Sequence, residues 1–254
     1  MINLKTSEWE INNIETVLLD KDGTFIDLHF FWGKMTELRI KEVIKEFNLE
    51  KKCYNELCLF LGYDINTNKM LADGITALYS RVKIIELFNE DLKKYNVGTT
   101  NEKLAEIFDK VSEEFYKNMK EYTKPINEAI DFIKEIRKTG VKIGIVTSDA
   151  KESTLKTLEQ FKWENLFDVV IGRESSPHTK ESGIPTQLAL HELNANPNTT
   201  IMIGDAPMDY ISAKNAGIEK TILVATGQIN KETLNETSPF TINSLNEIEL
   251  FWIY

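Results

Sequence analysis

No apolar run in this chain approaches the roughly 18 residues that a membrane-spanning helix needs, and residues 1–13 carry no apolar stretch behind a basic start. Neither a membrane span nor a signal peptide is therefore expected. Cysteine is nearly missing: Cys53 and Cys58 are the two present. Without a second pair or histidines close by they make no zinc site. They read as ordinary part-buried thiols of a cytoplasmic protein. Internal repeats and low-complexity segments are not evident. Positive charge is in deficit, with 30 Lys and Arg against 40 Asp and Glu and a formal net charge of −10. That balance argues against nucleic acid or an acidic membrane surface as partner. An anionic substrate would need a local cation, supplied by a metal or by a few placed lysines and arginines.

What the chain does contain is a set of short apolar runs ending in charge. Residues 15–20 are the first, and similar runs follow at 141–146, 168–171, 200–203 and 220–224. Each has the length and composition of a buried strand. Helical segments separate the later runs. Pro125 can open a helix whose apolar face is Ile126, Ala129, Ile130 and Ile133, with Gly140 ending it. Asp149 with Glu152 is placed to cap a second helix bearing Leu155, Leu158 and Phe161. Residues 207–216 and 244–251 also read as helices. Strands alternating with helices imply an α/β fold, a Rossmann-like parallel sheet with helices on both faces.

Residues 28–124 break the rhythm. Met35, Leu38, Val43 and Phe47 fit one helix, and Ile75, Leu78, Tyr79 and Val82 another. Thr99 and Glu102 resemble a capping box ahead of Leu104, Ile107, Phe108 and Val111. The expected organisation is an α/β domain over 1–27 and 125–254, with an inserted all-α domain over 28–124.

Ligands of such sheets bind beyond the carboxyl ends of the strands. Those ends carry Asp20 and Asp22; Thr147, Ser148 and Asp149; a polar loop from 173 to 180 that supplies Lys180; and Asp205 with Asp209. Crowded carboxylates repel one another unless a cation joins them. Oxygen donors without histidine favour Mg²⁺, which usually keeps waters and binds one or two carboxylates plus phosphate. Thr147 and Lys180 suit phosphate oxygens, and Ser148 at a helix start adds N–H groups. That inventory fits phosphoryl transfer. A calcium loop at Asp20 is excluded, because glycine follows Asp22 directly and position 31 is Phe31. Gly23 reads as a backbone requirement for close approach.

The segment 18–27, LLDKDGTFID, resembles the first motif of the haloacid dehalogenase superfamily. Thr147 after a buried strand resembles the second, Lys180 the third, and Gly204, Asp205 and Asp209 the fourth. Thr226, Gly227 and the tail from 238 to 250 resemble the end of the family core. The resemblance implies a phosphatase of the phosphoglycolate-phosphatase-like branch, acting on a small phosphorylated metabolite. Asp20 would attack phosphorus and form an aspartyl-phosphate, with Asp22 as acid and base. Mg²⁺ would be held by Asp20, the backbone carbonyl of Asp22 and Asp205. Thr147 and Lys180 would hold phosphoryl oxygens, and Asp209 would orient Lys180 or a water of the metal. Residues 28–124 look like the family's helical cap, where His29 and Trp32 could face substrate; Arg81, Arg173 and His178 are weaker candidates. Aspartate at position 22 speaks against carbon–halogen chemistry. Many relatives have proline directly after the third-motif lysine, whereas here it is displaced to Pro185. Lys151 and Lys162 are the other lysines to weigh. Two further readings stay open: a sugar phosphomutase resembling β-phosphoglucomutases, and a non-catalytic phosphate- or metal-binding module.

Overall fold

The computed structural model describes residues 1–251. They form two compact units, one from residues 1–27 together with residues 125 onward, the other over Leu28–Lys124. In the first unit an antiparallel pair, β1 (Ile2–Lys5) and β2 (Glu10–Ile14), precedes β3 (Thr16–Leu19). The four residues of β3 are all buried, Thr16 included, so the apolar run Val17–Leu19 has no solvent-facing side.

The second unit is mostly helical: α1 (Leu28–Glu46), α2 (Tyr54–Phe60), a short ladder of β4 (Tyr63–Asp64) with β5 (Lys69–Met70), then α3 (Ile75–Leu78), α4 (Arg81–Leu92), α5 (Asn101–Lys117) and α6 (Met119–Tyr122). Phe88, Phe108, Leu57 and Leu92 lie in its core at 0% exposure. Phe31 is buried and packs edge-on against Trp32 and Phe115. Two local expectations are corrected here. The helix over 75–82 is two helices, because Ser80 caps the second by accepting the Lys83 N–H; Leu78, Tyr79 and Val82 are consequently exposed. The cap of α5 is Thr100, which accepts from the Lys103 N–H, and not Thr99. Thr99 and Thr100 are adjacent hydroxyls, and only the one in the extended conformation directly before the first turn can reach that donor.

The chain then returns to the first unit through α7 (Asn127–Lys138), β6 (Lys142–Val146), α8 (Lys151–Phe161), β7 (Val169–Ile171), α9 (Ile184–Glu192), β8 (Thr200–Gly204), α10 (Pro207–Asn215), β9 (Lys220–Val224), α11 (Lys231–Leu234), β10 (Thr241–Ile242) and β11 (Glu249–Phe251). Six strands form one sheet in the order β10-β9-β8-β3-β6-β7, and every pairing is parallel. Leu18, Val146 and Met202 pack on one face against Ala189, Leu190 and Ala213 of α9 and α10. Val17, Leu19, Ile143 and Ile145 are also fully buried. Alternation sends them to the opposite face, so both faces are covered. This is the expected α/β architecture.

Two readings of the first unit are overturned. Residues 244–251 are not a helix but a 3₁₀ turn, Leu245–Glu247, followed by β11, which pairs antiparallel with β1. Short apolar spacing is ambiguous between the two periods, and here a partner strand from the other end of the chain decides. In α8 the inward face is Ser153, Thr154, Thr157 and Leu158, leaving Leu155 exposed. Both cysteines are buried and unpaired with each other. Among the described residues no helix is long and apolar enough to cross a membrane.

Candidate active site

The register of the central strands brings the chemistry together. Leu19 lies level with both Ile145 and Ile203, so the chain leaves all three strands at one rim. Asp20 follows Leu19 and donates its N–H to the Ile203 carbonyl at 2.9 Å. Thr147 follows β6 and donates its N–H to the Ile171 carbonyl at 2.9 Å. Asp205 follows β8. After Asp20 the chain turns sharply: the Lys21 carbonyl accepts the N–H groups of Thr24, Phe25 and Ile26. Gly23 takes φ +86°, a left-handed conformation that favours glycine.

Lys180 sits between two of the carboxylates. Its ammonium donates to Asp20 Oδ1 at 2.6 Å and lies 2.5 Å from Asp209 Oδ1. The second contact is an ion pair without hydrogen-bond geometry, since that oxygen accepts no hydrogen bond. Asp209 belongs to the first turn of α10, and its Oδ2 accepts the Ala206 N–H at 3.1 Å. A Cβ at Gly204 would overlap the Asp209 carboxyl, so that glycine makes its room. The displaced proline is accommodated: Lys180–Ser182 form a 3₁₀ turn, Gly183 takes φ +80°, and Pro185 falls in the first turn of α9 where its missing N–H costs nothing. Lys151 is half-buried, with its N–H bonded to Glu174 Oε2, and Lys162 is exposed at the end of α8. Neither joins the cluster around Asp20.

A second lysine, which the sequence analysis missed, stands next to the first cluster. Lys21 is 0% exposed. It donates to Asp22 Oδ1 at 2.5 Å and lies 3.0 Å from Asp149 Oδ2. Asp149 was expected as a helix cap, but the N-terminal residue of α8 is served by Glu174 instead, from the loop after β7. The available signal was chemical: a lysine directly after a buried strand cannot reach water and needs carboxylate partners.

The remaining site residues divide. The Thr147 hydroxyl is buried and accepts the Asp149 N–H at 3.1 Å, which leaves its own proton free to donate. Ser148 is exposed, 3.7 Å from the Met208 sulfur. Thr226 donates to the Gly23 carbonyl at 2.5 Å, tying the end of β9 to the Asp20 loop. His29 lies in the other unit, where its Nδ1 accepts the Met70 N–H at 3.0 Å. Arg81 pairs with Asp109 at 2.7 Å between α4 and α5, whereas Arg173 pairs with Glu174, and His178 is exposed.

Five carboxylates (Asp20, Asp22, Asp149, Asp205, Asp209) and two lysines (Lys21, Lys180) are thus buried together, none more than 9% exposed. Fully ionised, the carboxylates exceed the ammoniums by three charges. Burial pushes Asp20 up to about 7, with Lys180 pulling it down and Asp209 and Asp22 pushing it further up. Burial likewise holds Asp205 well above the ordinary carboxylate value, and Asp20 and Asp209 reinforce the effect. For Lys180 burial alone would lower the pKa, but Asp20 and Asp209 outweigh it and raise it. Lys21 is raised in the same way by Asp22 and Asp149.

This surplus of buried negative charge, built from oxygen donors alone, suits a hard dication. Asp205 lies in a cradle where a Cβ at Gly23 or Gly227 would overlap its carboxyl. Among the described residues no group of three or more His, Cys, Asp or Glu side chains is arranged to hold a metal. The implied set needs only the Asp20 and Asp205 carboxylates with the Asp22 carbonyl, and these residues fit it.

The haloacid dehalogenase-like hydrolase family matches residues 65–224, more than half of the chain. The chain belongs to that family. The match takes in Thr147, Lys180, Asp205 and Asp209, while Asp20 and Asp22 lie before it. Among curated proteins the chain is similar to a phosphoglycolate phosphatase of Aquifex aeolicus, 26% identical over 92% of this chain and 95% of that protein. It is also similar to pyrophosphatase PpaX of Bacillus cereus strain G9842, 24% identical over 74% of this chain and 90% of that protein. Similar folds include a predicted phosphoglycolate phosphatase from Haemophilus somnus, with TM-score 0.70, 14% identity and coverage of 93% and 97% of the two chains. Another is β-phosphoglucomutase from Clostridium difficile, with TM-score 0.60, 18% identity and 92% coverage of both.

Proposed function

We infer that the chain is a Mg²⁺-dependent phosphatase that hydrolyses a small organic phosphate monoester through an aspartyl-phosphate on Asp20. The observation that carries this reading is the Asp20–Lys180–Asp209 line beside Asp205, a buried nucleophile paired with a fixed cation inside a carboxylate surplus. Family membership and the phosphatase names of the curated relatives support it.

In this reading Lys180 and the Thr147 hydroxyl draw phosphoryl oxygens in and offset their charge, as fixed dipoles and cations do where charge develops. Asp20, pinned by Lys180, presents a carboxylate oxygen to phosphorus. The bond from phosphorus to the ester oxygen breaks as the Asp20–phosphorus bond forms, and the Asp22 carboxyl gives its proton to the leaving alkoxide. Asp22, now a carboxylate, takes a proton from a water whose oxygen attacks the same phosphorus. That step releases inorganic phosphate and restores Asp20. Asp209 holds Lys180 in line and keeps its ammonium charged. A dication held by Asp20, the Asp22 carbonyl and Asp205 would screen the approach of a phosphate dianion to a carboxylate.

The test is a phosphate-release screen over metabolite monoesters, p-nitrophenyl phosphate and inorganic pyrophosphate, with Mg²⁺ and with EDTA. Metal-dependent release from at least one monoester is expected. Release from pyrophosphate alone would move the substrate class towards that named for the Bacillus relative. An isomerised sugar phosphate without free phosphate would establish the mutase instead, and no turnover with any compound would leave only a binding module.

A further inference from the structure

Lys21 takes no part in the reaction just described, yet it is one of the most deeply buried side chains of the molecule. A buried ammonium is costly to desolvate and persists only where it is paired. Replacing a buried ion cluster by apolar side chains is often neutral or stabilising, so stability alone is a weak reason to keep one.

Two partners of Lys21 lie on different loops. On its own loop it donates to Asp22 Oδ1 at 2.5 Å. Across the rim it meets Asp149 Oδ2 at 3.0 Å. Asp149 is itself fixed: its Oδ1 accepts the Ala150 N–H at 2.7 Å, and its N–H donates to the Thr147 hydroxyl at 3.1 Å. An unbroken polar chain therefore runs Asp22–Lys21–Asp149–Thr147. It joins the proposed acid to the hydroxyl proposed to hold phosphoryl oxygens, without passing through Asp20, Lys180 or Asp205. Misplacing such groups by about 1 Å can cost on the order of 10²-fold in rate.

We propose that Lys21 is a positioning residue that holds the Asp22 carboxyl in one rotamer and locks the loop of Asp22 to the loop of Thr147. Its catalytic consequence rests on the phosphatase reading; its geometric consequence does not.

Lys21→Met removes the charge and keeps the length. In a crystal structure of that variant, Asp22 is expected to leave its wild-type rotamer and the 147–150 loop to shift away from residue 21. An unmoved Asp22 overturns the proposal whether or not the wild type turns over. In kinetics, Lys21→Met is expected to lose ~10–100-fold in kcat on alkyl phosphates and clearly less on p-nitrophenyl phosphate, with KM little changed. Added to Asp22→Asn, it is expected to cost almost nothing more, because the two changes disable one function. Equal losses on both ester classes, or losses that multiply in the double variant, mean a general structural role and overturn the proposal. A wild type inactive on every ester overturns the phosphatase reading while leaving the crystallographic outcome to decide on Lys21. Should Lys21→Met not fold, Asp149→Asn serves for both measurements, since it cuts the same chain one link further on and leaves the Lys21–Asp22 pair in place. It is then expected to loosen the 147–150 loop and to slow both ester classes alike, because Thr147 shifts while Asp22 keeps its ammonium partner. An unmoved loop, or a loss confined to alkyl phosphates, counts against the proposal.

Discussion

At the amino ends of the six-stranded sheet, polar groups staple elements together in reach of water. Lys142 donates to the Leu193 and Asn194 carbonyls, the Thr199 hydroxyl donates to Glu15, and Arg137 grips Asp168 with side chains 36% and 30% exposed. At the carboxyl ends the same strands run into seven buried ionisable groups. Charges left in water cost little and contribute little. Charges taken out of water cost several kcal/mol each unless paired, and here the pairing is incomplete, because carboxylates outnumber ammoniums. The fold holds one rim cheaply and the other at a cost in stability, as expected where a site is kept for chemistry and not for folding. The two rims should therefore respond to mutation in opposite ways.

The strongest contrast is in turnover. Asp20→Asn should lower kcat at least about a thousandfold while circular dichroism remains native, since the change removes charge from an overcrowded cluster. Wild-type-like rates would remove Asp20 as nucleophile and with it the functional side of the contrast. Asp22→Asn should cost ~10²–10⁴-fold on alkyl phosphates and less on p-nitrophenyl phosphate, whose leaving group needs less proton donation. A uniform loss across esters would take the acid role from Asp22.

A smaller effect is expected in stability. The Asp20 carboxyl is raised in the folded protein from 3.8 to about 7. The native state then binds a proton that the unfolded state has released, so stability falls as pH rises through that interval. Its contribution is complete below 3.8 and gone once the pH passes about 7. Without metal, urea midpoints should therefore decline from about pH 4 to pH 7. Mg²⁺ at one hundred times its dissociation constant should restore about 2.7 kcal/mol at neutral pH. In Asp20→Asn that decline should flatten. Midpoints that rise with pH in the metal-free protein would contradict the charge surplus.

The fold class was legible because the central strands are buried on both faces, so they stand in the sequence as apolar runs that stop at charge. The strands at the chain ends were not. β1, β2 and β11 are short and partly polar: β1 pairs with the nearby β2, and β11 has its partner only because residues 3–5 meet residues 249–251 across the length of the chain. The carboxylates of the rim were visible one by one at strand ends, and the register of β3, β6 and β8 turns that linear reading into a cluster. Lys21 was passed over because a lysine between two aspartates looks like solvated charge. Only its burial shows that it bridges Asp22 to Asp149, a residue 127 positions further along the chain. The inward face of α8 was misread for a related reason. Small hydroxyl residues fill it, with Thr154 and Thr157 returning their hydroxyls to the helix's own carbonyls, so polarity in the sequence does not mean exposure there.

The smallest effect should come from the amino rim, and it is the control for the others. Arg137 binds Asp168 through Nη1 at 2.7 and 2.9 Å, which looks like a strong pair by distance. Both groups remain about one-third exposed, so water and salt screen the attraction, and two flexible side chains are ordered to make it. Arg137→Met leaves Asp168 with the Ile143 N–H at 2.8 Å, so no carboxylate is stranded. The expected cost is about 0.2–1 kcal/mol in urea unfolding, shrinking in high salt, with kcat and KM unchanged. A loss of several kcal/mol would mean that this rim is as tightly coupled to folding as a buried one. A loss of turnover would mean that the two ends of the sheet are not separable, and the division of labour argued from their burial would fail.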